Sequence, residues 1–180
     1  MKTHIENSQS KKNEDRYHRF VENNFAAIFR SKDNGSIVEY NQTMADILGY
    51  NSEEMNKIKV QDLYYSDYDK ENFFKDIKEN FFLKNYQMRM KRKDGNEIWT
   101  LGNMMLVKDE KTEEKFIEGM FIDITKTKKI QQLLQESEEN YKSLIEHTPD
   151  GILIHDENGE AIFANNVMLK MIGFSSLAEV

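Results

Sequence analysis

Cysteine is absent from the 180 residues, and proline (Pro149) and tryptophan (Trp99) occur once each. Without cysteine there is no disulfide, no thiolate metal ligand, no cysteine nucleophile and no cysteinyl cofactor adduct. No apolar run approaches the ~18 residues that a membrane span needs. The first residues, Met-Lys-Thr-His-Ile-Glu-Asn-Ser, also lack the apolar stretch of a secretory signal. Basic charge is in deficit: 25 Lys+Arg against 32 Asp+Glu leave −7, which argues against nucleic acid as the partner. These features together point to a cytoplasmic chain. One domain takes roughly 100–150 residues, so the length leaves a remainder to be explained.

What is present follows a clear order. Residues 1–13 are polar apart from Ile5 and the initiator, the composition of a disordered tail. From Glu14, Tyr17, Phe20, Val21 and Asn24 recur at helical spacing. A hairpin follows, with strands 28–32 and 36–40 flanking Asp33-Asn34-Gly35, a turn tolerant of positive φ. Asn41 is placed to cap a helix carrying Met44, Ile47 and Leu48, and Gly49 to end it in left-handed geometry. Ser52 reads as the cap of a further short helix, with Glu53 and Glu54 in its first turn. Phe74, Ile77 and Phe81 mark an amphipathic helix between Asp67 and Phe82. Three strands are then expected, at Tyr86–Arg92, Glu97–Lys108 and Lys115–Ile124, joined as an antiparallel meander. Gly102-Asn103-Met104 reads as an interruption in the second of them. This order predicts an α+β domain with one five-stranded antiparallel sheet and helices on one face.

The chain also repeats itself. Tyr17–Asn56 aligns without a gap on Tyr141–Val180 at an offset of 141 − 17 = 124, with 9 of 40 positions identical. Among them are Glu22/Glu146, Asn34/Asn158, Gly35/Gly159, Asn41/Asn165 and Gly49/Gly173. Because several fall on turn and cap positions, the repeat is structural: one domain begins twice.

IFRSKDNGSIVEYNQTMADILGYNSEEM resembles the opening of a PAS domain, and KRKDGNEIWTLGNMMLVKD its second half. Asp123-Ile124-Thr125 is similar to the family's closing Asp-Ile-Thr. The resemblance implies a complete PAS unit over 14–125, a linker helix over 126–140 and a second unit begun over 141–180. That second unit reads as truncated after its first short helices. Ile152, Leu153, Ile154, Ile162 and Phe163 are therefore expected to be partly exposed, since a hairpin with short helices builds little core.

PAS domains are sensory and interaction modules, so function must be argued from residues. Covalent flavin and cysteine-linked chromophores are excluded by the absence of cysteine. Haem is not expected, because the 67–82 helix that commonly carries its ligand in the family has no His. No His pair has metal-ligand spacing, and nothing specific supports noncovalent flavin. Met44, Phe74, Ile77, Met88, Met90 and Met120 are expected to converge between helices and sheet, chiefly as core filler and otherwise as the lining of a small-molecule pocket. Ile117, Phe121 and Trp99 are expected on the opposite sheet face. No Ser/His/Asp set and no phosphate-cradling glycine loop occurs, so no catalytic residue is assigned.

After the signal exit at Asp123, Ile124 and Thr125, small or apolar residues recur at Ile130, Leu134, Ser137, Tyr141, Leu144 and Thr148. The gaps of 4, 3, 4, 3 and 4 make a heptad seam. The resemblance implies a signal-transduction module that pairs as a homodimer through this helix and the sheet face. It would relay conformational signals to a downstream signalling domain or protein. The alternatives are the front of a sensor histidine kinase, whose catalytic boxes are absent from these 180 residues, and a small-molecule receptor.

Overall fold

The computed structural model describes residues 15–109 and 112–179; the polar 1–13 segment lies outside them. The chain divides into two compact units after Lys126. In the first, residues 15–22 form helix α1. Strands β1 (Ala27–Lys32) and β2 (Ile37–Tyr40) follow, then helices α2 (Gln42–Leu48), α3 (Ser52–Met55) and α4 (Asp67–Asn80), with a 3-10 turn at Val60–Leu63. Strands β3 (Phe82–Lys91), β4 (Glu97–Lys108) and β5 (Lys115–Asp123) complete a five-stranded sheet of order β2-β1-β5-β4-β3. All its pairings are antiparallel, as the turn pattern predicts.

Local chemistry explains the boundaries. Asn51, not Ser52, caps α3: its side chain accepts from Glu54 N, while the Glu54 carboxylate accepts from Asn51 N. The Asn-x-x-Glu box therefore outcompetes the neighbouring serine. Helix α4 is capped by Ser66 and ends at Phe81, whose φ of 61° is left-handed and turns the chain straight into β3, four residues earlier than alternation suggested. Strand β4 is continuous through Gly102, contrary to the expected interruption. Gly102 is instead required by close approach, since a Cβ there would lie 2.4 Å from the Met120 carbonyl oxygen. The irregularity falls on β3, between Leu83 and Tyr86.

The core lies between one face of the sheet and helices α2–α4. Ala27, Phe29, Met88, Met90, Ile98, Met104, Ile117 and Phe121 from the strands meet Met44, Leu48, Met55, Leu63, Phe73 and Ile77. Within α4, Phe73 rather than Phe74 is fully buried, alongside Ile77.

Asn41, wholly buried, joins three elements of this unit. Its Oδ1 accepts from Ile28 N (2.9 Å) and Met44 N (3.2 Å). Its Nδ2 donates to the carbonyls of Val21 and Ala26, both at 2.9 Å. One carboxamide thus ties the end of α1 to the start of β1 and to the first turn of α2, with all four hydrogen-bonding positions used.

The second unit contains most of α5 (Thr125–His147), strands β6 (Leu153–His155) and β7 (Ala161–Ala164), helix α6 (Asn166–Ile172) and a 3-10 turn at Leu177–Glu179. At one junction it reproduces the first bond for bond. Asn165 is wholly buried, accepts from Ile152 N and Met168 N, and donates to the carbonyls of Ile145 and Asp150. Gly35/Gly159 and Gly49/Gly173 all have left-handed φ, between 78° and 87°. Leu153, Ile154 and Ile162 are exposed, while Ile152 and Phe163 are half-buried.

Asn41→Ala removes four hydrogen bonds from a buried site and should cost at least about 3 kcal/mol of stability. Asn41→Asp, which points a carboxylate oxygen at two carbonyls, should cost as much. Urea unfolding read by Trp99 fluorescence checks this, and a loss below about 1 kcal/mol would contradict it.

Candidate functional site

Three regions of the first unit are candidates for a functional site: the inner face of the sheet, its outer face, and the exit into α5. Strand parity decides which side chains reach each. Gly119 and Phe121 of β5 face the core in register with Phe29 and Ala27, so Met120 between them points the other way. Met44, Ile77, Met88 and Met90 meet in the core as expected, and Phe74 packs half-buried against them. Met120 does not join them. It is 38% exposed on the outer face, and Ile117 and Phe121, expected there, are core residues instead. The sequence phase was off by one in β5 because Phe116, Ile117, Met120 and Phe121 put apolar residues on both faces, which leaves alternation without a sign. Trp99 is half-buried on the outer face, between inward-facing Ile98 and Thr100.

The inner face is filled by its own side chains. Tyr64, Phe73, Phe74 and Tyr86 form an aromatic cluster with ring centroids 5.6–5.9 Å apart. Tyr86 donates its hydroxyl to Asp76 at 2.9 Å, and burial followed by that carboxylate holds its pKa well above the ordinary tyrosine value. Burial raises Tyr64 likewise. Arg89 grips Asp69 with two hydrogen bonds of 3.0 and 3.1 Å and stacks 5.2 Å over Tyr65, fixing the start of α4 to β3. These polar contacts from β3, one from inward-facing Tyr86 and one from Arg89 of the opposite parity, hold helix α4 in place. A smaller hollow of about 300 Å³ opens beside Phe74 and Ile77, toward Phe81, Leu106 and Ile117.

The larger groove, about 830 Å³, lies on the outer face, between α1 and the sheet. Tyr17 and Val21 form one wall, and Arg30, Asn103, Met105 and Met120 the floor. Asn103 is held there by accepting from Asn85 N. Arg30 pairs with Glu118 at 3.0 Å and Glu39 at 3.6 Å and lies 4.0 Å from the Phe116 ring centroid. Among the described residues no group of three or more His, Asp or Glu is placed to hold a metal ion, and no helix is long and apolar enough to cross a membrane.

At the exit, two hydrogen bonds tie Ile124 and Thr125 to β4, and a third joins Thr125 to the last residue of β5. Ile124 N donates to the Trp99 carbonyl (2.8 Å), Trp99 N donates to Thr125 Oγ1 (2.9 Å), and Asp123 Oδ1 accepts from Thr125 N (2.8 Å). Asp-Ile-Thr therefore ends the strand, satisfies the first amide of the helix and fastens one to the other. The helix then runs 23 residues without a buried side chain. Ile130, Leu134, Tyr141 and Leu144 of the expected seam are each more than half exposed, as is Leu133 beside it; Ser137 is also exposed.

A PAS domain family model matches residues 7–126, and a second PAS domain model matches residues 139–180. No curated protein matches the chain. Among solved structures, a PAS domain from a two-component sensor histidine kinase is similar at a TM-score of 0.55 and 16% identity, covering 63% of this chain and 98% of that one. A PAS domain from Colwellia psychrerythraea gives 0.55 at 22% identity, with 62% and 97% covered. The PAS domain of an HTR-like protein from Haloarcula marismortui gives 0.53 at 19% identity, with 67% and 98% covered. At these identities the likeness is one of fold.

Thr125→Val removes the acceptor of the Trp99 amide while keeping the side chain's shape. It should cost about 1 kcal/mol and speed exchange of the Trp99 amide, with Thr125→Ser restoring the wild-type rate. An unchanged Trp99 amide in Thr125→Val would show that the anchor is not formed.

Proposed function

The chain belongs to the PAS domain family, and from that premise we propose that it is a cytoplasmic sensory module which passes conformational change from its first unit along α5 as a homodimer. The observation that carries the reading is α5 itself. It leaves the sheet through a three-bond anchor, exposes an apolar line broken only at Ser137 and has no buried residue. Apolar surface contributes roughly 25 cal/mol per Å² when removed from water, so an exposed line of this length favours pairing with a second copy. No charged residue stands at the positions flanking this seam except Glu138, so parallel pairing meets no like-charge cluster.

The outer face of the sheet, with its groove beside α1, is the second surface of the same dimer. Change in the first unit would reach α5 through β4 and β5, whose ends carry the anchor. A downstream signalling domain or protein, a histidine kinase among them, would take the output; the chain itself carries no catalytic assignment.

Single cysteines placed from Thr127 to Leu144 test the pairing in a chain that has none of its own. Disulfide crosslinking should peak at positions 130, 134, 137, 141 and 144. A flat profile would overturn the paired helix.

A further inference from the structure

The two units share more than a fold. Each is gripped by the helix that precedes it in the same way. In the first, Glu22 Oε2 of α1 accepts from Gln42 N at 3.1 Å, beside the Asn41 bond to the Val21 carbonyl. In the second, Glu146 Oε2 of α5 accepts from Asn166 N at 3.1 Å and from Asn166 Nδ2 at 2.7 Å, beside the Asn165 bond to the Ile145 carbonyl. Glu22 and Glu146 are identical at the 124-residue offset although only 9 of 40 positions are. Neither bond is needed to form the helices themselves, since each runs from a helix side chain to the first backbone amide of another helix.

The position of the carboxylate on the helix matters. At 100° per residue, Glu146 lies about 140° from Tyr141 and 160° from Leu144. Glu22 has the same relation to Tyr17 and Phe20. The grip is therefore on the back of the helix, with the exposed apolar side chains on the front. A second copy can pair along the front without displacing the bonds behind, and any turn of the helix pulls on them.

We propose that Glu146 with Asn165, and Glu22 with Asn41, are the positioning residues of one repeated joint through which movement of a helix's last turns is handed to the following hairpin. The joint rests on the reading of α5 as a relay, but it concerns only what the C-terminal end of the helix holds.

The test is a double-mutant cycle read by amide hydrogen exchange on the full chain at concentrations where it is monomeric. Glu139→Gly, on the exposed helix surface away from the seam, loosens α5. It should speed exchange of the Ile152, Asn166 and Met168 amides about threefold or more. In a Glu146→Ala background the same loosening should have no further effect at those amides, and Glu146→Gln, which keeps a carbonyl acceptor, should restore the response. Equal responses in the wild-type and Glu146→Ala backgrounds, or none in either, would overturn the joint. If Glu146→Ala abolishes protection of the hairpin altogether, the equivalent cycle decides: Arg19→Gly with Glu22→Ala, read at Ile28, Gln42 and Met44, in a unit that has its own core. A flat crosslinking profile along α5 would defeat the paired relay and leave this cycle intact, so the two failures are distinct.

Discussion

Each unit depends on one buried carboxamide whose four hydrogen-bonding positions are all occupied. Strand, helix and preceding helix approach one another at Asn41, and each brings backbone groups that no ladder satisfies there. Asparagine serves because it presents two donors and two acceptor lone pairs on a short side chain. Aspartate lacks the donors, and glutamine reaches one methylene too far. The same bonds around Asn165 recur in a unit with a different hairpin sequence and exposed apolar side chains, so the junction does not need a large core around it.

From that junction the division of labour in the first unit follows. Its interior is filled with methionine, phenylalanine and tyrosine side chains, and its polar networks hold α4 against β3. The unsatisfied surface faces outward: a groove floored by Met105 and Met120, and a helix with no buried residue. The apolar surface left over lies on the outside, and the Asp123–Thr125 hydrogen bonds fasten the start of α5 to the sheet.

Much of this was legible in the amino-acid order, because turns and caps are local. Asn41, Gly49, the Asn34-Gly35 turn and the 124-residue repeat were read from residue type and spacing. What escaped the reading was non-local or ambiguous. Both faces of β5 carry apolar residues, so the outward place of Met120 emerged only from its register with β1 and β4. Phe73 and Phe74 are adjacent, and helix phase alone did not choose between them. Gly102 looked like a break because its reason, the neighbouring Met120 carbonyl, lies on another strand. Glu22 and Glu146 stood out as identities, yet their shared role required seeing which amide each one meets.

The most direct measurement of the account is on the two carboxamides themselves. In a nitrogen-15 spectrum, the side-chain NH₂ protons of Asn41 and Asn165 should exchange with solvent at least about a hundredfold more slowly than those of exposed Asn56, because both donors of each are bonded and buried. Exchange at the rate of Asn56 would contradict the claim that these two side chains hold their units together.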